Sequence, residues 1–216
     1  MGRTSDARAR LVTSAAEFVY ARGYQGVSVE ELCERAGVKK GSFYHFFRSK
    51  QGLALAALDE QWKLAQEGLV EPAFKNDVPP LDRIGRFFEW VAAASSHEQE
   101  TTGQVGGCRF GNLSAEMGSR DPAIRAKVES VFQAIAGYFE RALEEAVAVG
   151  DLSGVDPAAN AQALVAYMEG ILLLGRTYND PDLMKRLGRK AVQLACSGHV
   201  RDEHRDDLRI EKEANS

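Results

Sequence analysis

Apolar residues recur at helical spacing from the start of the chain, and almost every segment that they mark predicts an α-helix. The first stripe predicts a helix from near Thr4 or Ser5 to Gly23; its members are Leu11, Ala15, Phe18 and Val19. Ser28 and Glu31 then have the spacing of a capping box, in which each side chain satisfies a free backbone N–H of the first helical turn. A second helix therefore begins after Ser28, and Gly37 can adopt the left-handed conformation that ends it.

A third, very short helix is predicted after a tight turn at residues 36–39. Its inward side is expected to carry Phe43, Phe46 and Phe47, which leaves the polar residues between them in outward or flanking positions. Two helices joined by such a turn form a helix-turn-helix, whose second helix enters the major groove of DNA while the first crosses the backbone.

The rest of the chain is also predicted to be helical. Ser49 is a plausible N-cap for a fourth helix over residues 50–70, which ends at Pro72. An amphipathic run follows Pro79 and Pro80, and a glycine-rich loop leads into the next helix. Three Asp-Pro pairs place an N-cap acceptor before a proline at the first helical position. They predict helices over about 122–149, 157–175 and 181–195, long enough to pack in a bundle.

These segments predict an all-α fold with two domains. Residues 1–50 are expected to form a three-helix, helix-turn-helix DNA-binding domain, and residues 51–196 a helical ligand-binding and dimerisation domain. Residues 197–216 are polar, which predicts a loosely ordered tail.

Charge is distributed unevenly along the chain, and this distribution is more informative about function than the net charge of −4. The first 50 residues hold nine Lys and Arg against five Asp and Glu, whereas the remainder holds 18 against 26. A basic N-terminal module on an acidic body indicates that only the first part binds a polyanion such as nucleic acid.

Composition excludes several other classes of protein. The apolar fraction of 44% in 216 residues supports a sizeable core. Polar residues and a glycine interrupt the longest apolar run, residues 161–174, which argues against a membrane span. The N-terminus lacks the apolar segment of a secretory signal, so we expect a cytoplasmic protein. The three cysteines are too sparse for a disulfide framework or a zinc site; they are Cys33, Cys108 and Cys196. We therefore expect no metal or other cofactor.

Several residues around the predicted helix-turn-helix are suited to binding DNA. Lys39 and Lys40 supply charge to phosphates or donors to guanine, and the small Gly41 and Ser42 let the backbone approach the duplex. Hydroxyl and imidazole groups can hydrogen-bond phosphate oxygens, and a lysine at a helix N-terminus adds charge to a site already suited to an anion. These further candidates are Ser28, Tyr44, His45 and Lys50.

The stretch SVEELCERAGVKKGSFYHFFRSKQGL, preceded by FVYARGYQGV, resembles the tetracycline-repressor (TetR) family of bacterial regulators over about the first 60 residues. The resemblance implies that Ser28 caps its helix and touches phosphate and that Lys50 anchors the next helix. It also implies a set of residues that lie along the DNA groove: Lys40, Gly41, Ser42, Tyr44 and His45. Cys33 and Phe43 depart from the usual family pattern, and both are interpreted as core substitutions.

Recognition of a palindromic operator by this family implies a homodimer, because one recognition helix contacts only a few base pairs of the duplex. The last two predicted helices are the expected interface, since they carry more apolar surface than the edge of a monomeric bundle needs. Small residues at Ala166, Gly170 and Gly175 would allow close approach. The first of the two helices offers Ala163, Leu164, Tyr167, Met168, Ile171, Leu172 and Leu174. Burial of both helices within one chain is the alternative.

The middle of the chain is rich in aromatic residues, which form either a packed core or the lining of a cavity for a small-molecule effector. In the family, such a ligand favours a spacing of the recognition helices that no longer fits the operator. The candidate ligand-binding residues are Trp62, Phe88, Cys108, Phe110, Asn112, Tyr138 and Tyr167.

Cys108 lies in the segment GGCRFGNLSAEMG, next to Arg109. The neighbouring charge and a helix N-terminus would favour the thiolate and reaction with an electrophile or oxidant. A small buried residue, with Asn112 capping the next helix, is the other interpretation.

Two further classes of protein compete with a ligand-responsive repressor. A helical enzyme would use Cys108 with His97 or Glu116, but a lone cysteine without a paired base is weak support for nucleophilic catalysis. We therefore do not expect an enzyme. An interaction protein with a vestigial helix-turn-helix, whose short helices simply pack on one another, would bind DNA poorly.

Overall fold

The computed structural model describes residues 2–196, with side chains from Asp6 onward, and this part of the chain is helical without a β-strand. The predicted tail, residues 197–216, lies outside the described residues. The helices are α1 (Gly2–Arg22), α2 (Val29–Ala36), α3 (Lys40–Phe46), α4 (Lys50–Ala65), α5 (Glu71–Ala73), α6 (Pro80–Thr102), α7 (Arg109–Met117), α8 (Pro122–Ala148), α9 (Pro157–Tyr178), α10 (Pro181–Gly188) and α11 (Ala191–Ala195).

The caps predicted for the N-terminal helices are present. Ser28 and Glu31 form the complete capping box of α2, and Gly37 ends that helix with a left-handed φ of 60°. Ser49 accepts the backbone N–H of Gly52 and caps α4. These local hydrogen bonds fix the start of α2 and of α4, and Gly37 forms the turn between α2 and α3.

A compact hydrophobic cluster holds α1, α2 and α3 against the start of α4. It includes Leu11, Leu32, Phe43 and Phe47, and α4 adds Leu53 and Ala57 to it. Cys33 is buried in the same cluster, as predicted for a core substitution. The domain limit at residue 50 itself remains a prediction.

A π-helical turn (Gln66–Val70) links α4 to α5, where the sequence predicts an uninterrupted helix up to Pro72. Proline has no N–H and its ring collides with the carbonyl four residues earlier, so a regular α-helix cannot continue through Pro72. The wider turn instead lets the N–H of Glu71 bond to the carbonyl of Gln66, five residues back.

The body of the molecule is a bundle in which α8 packs on α9, and α10 packs on α6 and α9. Asp121, Asp156 and Asp180 cap α8, α9 and α10, each before a proline at the start of the helix, as predicted. Among the described helices, α9 is the one whose length and composition would suffice to cross a membrane, a criterion that core helices of soluble proteins also meet.

The prediction of one continuous helix over residues 181–195 is wrong, because the structure divides this segment into α10 and α11. Gly188 lies against Phe88, close enough that a Cβ would press on the Phe88 side chain. The N–H of Lys190 then bonds to the carbonyl of Leu187, only three residues earlier. This tight turn redirects the chain before Ala191.

Candidate DNA-binding and effector sites

Helix α3 presents a polar face to solvent over a buried aromatic base. Phe43 is fully buried and Phe47 nearly so, whereas the adjacent Tyr44 is 54% exposed. The centres of the Tyr44 and Phe43 rings lie 5.1 Å apart, in an edge-to-face arrangement. Gly41, Ser42 and His45 are exposed with it, and the space around the Gly41 Cα is open. The arrangement matches a recognition helix, which needs a small, open start and polar side chains pointing outward.

Lys40 forms an ion pair with Glu30 of α2, and both side chains are more than half exposed. The hydrogen bond between them raises the pKa of Lys40 and lowers the pKa of Glu30. Lys39, the residue before α3, is exposed. The paired lysine lies on the outer surface, where a phosphate would compete with Glu30 for its ammonium group.

Lys50 is turned inward. Its ammonium group donates to the carbonyl of Tyr24 and lies 4.3 Å from the centre of the Tyr24 ring. Partial burial lowers the pKa of Lys50. Ser28 is exposed, but its hydroxyl accepts the N–H of Glu31 in the capping box. Contact of Lys50 or Ser28 with DNA would therefore require additional bonds or an exchange of these bonds.

A carboxylate near the end of α7 bonds to the backbone of the N-terminal helices. Glu116 accepts the backbone N–H of Tyr24 at 2.7 Å and that of Gln25 at 2.7 Å. Both donors lie in the turn after α1, where Gly23 has a φ of 78°. Charge-assisted bonds of this length are strong. Glu116 thus ties the turn between α1 and α2 to the body.

A second contact joins the end of α1 to the loop before α7. The hydroxyl of Tyr20 lies 3.2 Å from Glu98 Oε2 and 3.1 Å from the Gly107 carbonyl. The Arg109 guanidinium stacks 3.8 Å from the centre of the Tyr20 ring. Burial and the nearby Glu98 carboxylate raise the pKa of Tyr20. Gly106 is required here, because a Cβ would overlap the Tyr20 hydroxyl.

A cavity of about 400 Å³ lies between the two parts of the molecule, bounded by α1, α4, α7 and α9. Helices α1 and α4 line it largely with small and aliphatic residues, including Ala15, Val19, Ala57 and Leu58. Helices α7 and α9 contribute Arg109, Asn112, Glu116 and Arg176. Its size and mixed lining are typical of small-molecule sites.

Most of the predicted ligand-binding residues pack against other side chains. Phe88 is buried, with its ring stacked on Phe139 at 5.9 Å and tilted against Tyr167 at 6.1 Å. The Trp62 ring meets Phe110, and the Tyr138 ring meets Phe74. Of the seven predicted residues, Asn112 lines the cavity between α1 and α7, and the other six do not.

The expectation that Arg109 favours the Cys108 thiolate is wrong, because the Arg109 guanidinium stacks on Tyr20. Burial and the adjacent Glu169 carboxylate instead raise the pKa of Cys108. Cys108 is the N-cap of α7, and its sulfur accepts the N–H of Gly111 at 3.2 Å. Asn112 does not cap the helix, as its side chain donates to the carbonyl of Gly106. Among the described residues no group of three or more His, Cys, Asp or Glu could hold a metal ion.

The apolar residues predicted on α9 divide between two faces. Leu164, Met168, Ile171 and Leu172 are buried in their own chain, and a Cβ on Gly175 would overlap Met184. The outer face carries small residues followed by large apolar ones, with Leu173 62% and Tyr178 65% exposed. Its members are Ala163, Ala166, Gly170, Leu173, Leu174 and Tyr178.

Comparison with known proteins now identifies the family. A family model for "Tetracyclin repressor-like, C-terminal domain" matches residues 80–191, and one for "Bacterial regulatory proteins, tetR family" matches residues 11–57. The chain belongs to the TetR family. The transcriptional regulator AcuR of Cereibacter sphaeroides is 32% identical to it over 174 residues, which cover 80% of this chain and 77% of that protein.

Two other similar proteins support the same assignment. The transcriptional repressor DhaR of Mycobacterium sp. strain GP1 is 28% identical over 174 residues, which cover 80% of this chain and 83% of DhaR. The crystal structure of the reduced form of Escherichia coli NemR superposes with a TM-score of 0.77 at 25% identity, covering 86% of this chain and 95% of that one. TetR-family proteins are DNA-binding transcriptional regulators, so the predictions of a DNA-binding regulator and not an enzyme are confirmed.

Sequence reasoning missed the residues that join the two parts of this TetR-family protein. The residue pattern indicates Glu116 as a possible catalytic partner of Cys108, and it predicts no function for Tyr20, which contacts the Gly107 carbonyl and the Arg109 guanidinium. The one available signal was the glycine-rich segment before α7, because Gly106 and Gly107 mark a place where other side chains approach the backbone closely.

Proposed function

We propose that this protein is a homodimeric repressor that binds a palindromic operator in double-stranded DNA in the cytoplasm and is released by a small-molecule effector. The observation that carries the proposal is the exposed polar face of α3, held rigid by the buried Phe43 and Phe47. The word "repressor" in the names of DhaR and NemR supports repression over activation.

DNA binding is proposed to use the residues that the sequence predicted around α3. Gly41 and Ser42 let the start of the helix approach the base edges, while Tyr44 and His45 reach phosphates from the exposed face. Lys39 adds positive charge, and Lys40 exchanges Glu30 for a phosphate. Ser28 and Lys50 would support the flanks of the same surface.

Dimerisation is proposed to use the outer face of α9, together with the short helices α10 and α11. The small side chains of Ala163, Ala166 and Gly170 would let two copies of α9 approach closely, and Leu173 and Tyr178 would bury apolar surface there. Two recognition helices held by a two-fold axis then match the two halves of a palindrome.

Effector release is proposed to act through the contacts between α1 and α7. A ligand that fits one arrangement of these helices better than the other would shift the population between them, in proportion to its difference in affinity. The cavity borders both helices, and Glu116 and Tyr20 connect them.

A narrower form of the proposal assigns release to an electrophile or oxidant that modifies Cys108. Burial and Glu169 raise the pKa of Cys108 and keep the thiol protonated at neutral pH, so this form requires Cys108 to become exposed and to move away from Glu169 before it reacts. A Cys108→Ser variant should retain DNA binding and lose release by electrophiles. Unchanged release in a gel-shift assay would exclude Cys108 as the sensor.

The proposed function is tested by isolating the DNA fragments that the purified protein retains from the genome of its source organism. We expect a palindromic site, and binding to it should weaken steeply as salt rises, because phosphate contacts release counterions. Weak, salt-insensitive binding to every fragment would contradict the proposal. Transcription from the retained promoter, measured with and without the protein, distinguishes a repressor from an activator.

A further inference from the structure

The cavity between α1, α4, α7 and α9 has an uneven distribution of charge. Its lining contains Arg22, Arg109 and Arg176 but only one carboxylate, that of Glu116. Both oxygens of Glu116 already accept backbone N–H groups of the α1–α2 turn. The cavity therefore has an excess of positive charge that its own acidic residue does not offset.

Two of the three arginines have partners elsewhere. Arg22 pairs with Glu31 at 2.9 Å, and Arg109 lies 3.9 Å from Glu98. In the part of the chain that the structure describes, the Arg176 guanidinium has neither a hydrogen bond nor an ion pair. Near its base, Arg176 packs against Gly107, which has a φ of 77° and could take a side chain there only with strain. Arg176 is thus positioned by its packing while its charged end remains available.

Apart from Gln61, Asn112 and the Tyr20 hydroxyl, the remaining walls are apolar. The lining from α1 and α4 is mostly alanine and aliphatic residues, to which α7 adds Leu113. Small side chains leave room for a ligand where larger ones would fill the space. An apolar group in contact with these walls would be stabilised by the removal of apolar surface from water.

We propose that this cavity is the effector site and that it binds a small carboxylate with an apolar group, whose carboxylate is held by Arg176 with Arg109 beside it. Arginine is suited to this task because its guanidinium binds a carboxylate through two parallel hydrogen bonds. The inference rests on the proposed function, since a ligand here would touch α1 and α7 at the contacts that join the DNA-binding helices to the body.

The test measures binding of matched probes by isothermal titration calorimetry, in the absence of DNA. The probes are 4-phenylbutyrate, its neutral amide 4-phenylbutanamide, and acetate, which lacks the apolar group. We expect 4-phenylbutyrate to bind the wild-type protein about tenfold or more tightly than the amide, the effect of one hydrogen-bonded charge. Acetate should bind more weakly than 4-phenylbutyrate.

Variants then assign the preference to a residue. Arg176→Gln should remove the preference for the carboxylate over the amide, and Arg176→Lys should restore part of it. Arg120→Gln is the matched control, because Arg120 is exposed and outside the cavity, and it should retain the wild-type preference. Circular dichroism checks that each variant is folded. As a second line, Ala54→Met adds bulk to the cavity wall and should weaken binding of 4-phenylbutyrate.

Three outcomes would overturn the proposal: equal binding of carboxylate and amide, a carboxylate preference that survives in Arg176→Gln, or no binding of any probe at millimolar concentration. A parallel gel shift separates this inference from the proposed function. Arg176-dependent binding of 4-phenylbutyrate without release of DNA would support the site and contradict effector release. Failure to bind DNA at all would contradict the proposed function alone.

Discussion

The N-terminal helices and the body use aromatic residues in opposite ways. In α3, the buried Phe43 stands next to the exposed Tyr44, so the aromatic residues there serve both a core and an outer surface. In the body, Phe74, Phe87 and Phe139 pack their rings 5.1 to 5.8 Å apart in one cluster. The cavity lies between the two regions, where alanines line the walls. The aromatic cluster of the body is thus packed core, whereas this cavity occurs where the side chains of α1 and α4 are small.

The exposed face of α3 is proposed to be one half of a DNA-binding surface, so disrupting the dimer should have the largest effect on DNA binding. Ala166→Glu places a charge on the outer face of α9. We expect a monomer by light scattering and a loss of about 10³ in affinity for the operator, toward the non-specific level. Ala126→Glu makes the same change at an exposed position of α8 and should remain dimeric. A dimeric Ala166→Glu protein with normal affinity would place the interface elsewhere.

Substitutions at two neighbouring residues of α3 test the assignment of one to the core and the other to the surface. Phe43→Ala should lower the free energy of unfolding by about 3–5 kcal/mol, because it leaves a cavity at a fully buried position. Tyr44→Ala should change that free energy by only about 0.5 kcal/mol. It should nevertheless weaken binding to all DNA sequences alike. Urea denaturation and fluorescence anisotropy measure the two effects, and similar losses of stability in both variants would contradict the assignment.

The connection between the two regions is tested at Glu116. Glu116→Ala removes both acceptors from the Tyr24 and Gln25 N–H groups, and we expect a loss of about 1.5–3 kcal/mol in stability by urea denaturation. Glu116→Gln retains one carbonyl acceptor and should lose less. If the contact also positions the recognition helix, operator affinity should follow the same order, whereas unchanged affinity in both variants would limit Glu116 to a structural function.

The smallest expected effect is a pH dependence at the start of α2. Hydrogen bonds from the Ser28 backbone and hydroxyl, and then from Arg22, lower the pKa of Glu31 to about 2. Because the folded-state pKa lies below the unfolded value of 4.5, the contribution of Glu31 is complete above pH 4.5 and is lost as the pH falls toward 2. Glu31→Gln should flatten this part of the stability profile relative to wild type. If the stability profiles of the variant and the wild type are parallel over this pH range, protonation of Glu31 is not coupled to folding.

The helices were predictable from sequence because their signals are local. Ser28 and Glu31 are three residues apart, and each Asp-Pro cap involves adjacent residues, so the pattern alone specifies the bonds. The family resemblance also made the orientation of α3 predictable. The break at Gly188 was not predictable, since its cause is Phe88, 100 residues earlier in the chain.

The site was less predictable because its contacts join distant segments. Glu116 bonds to N–H groups 91 and 92 residues away, and no spacing rule links such positions. The aromatic residues were assigned to a cavity or a core with equal justification, because a ring that fills space and a ring that lines it have the same sequence pattern. The pKa of Cys108 is raised by burial and by Glu169, which approaches it from α9.

The π-helical turn before Pro72 also affects alignment with related chains. Its extra residue rotates everything after it by about 100° around the helix axis, relative to a regular α-helix. Phe74 reaches Tyr138 and Phe139 in that rotated phase. A relative that lacks one residue in this turn would direct a different side chain into the aromatic cluster, so equivalent positions beyond Val70 must be matched by the direction of the side chain and not by counting.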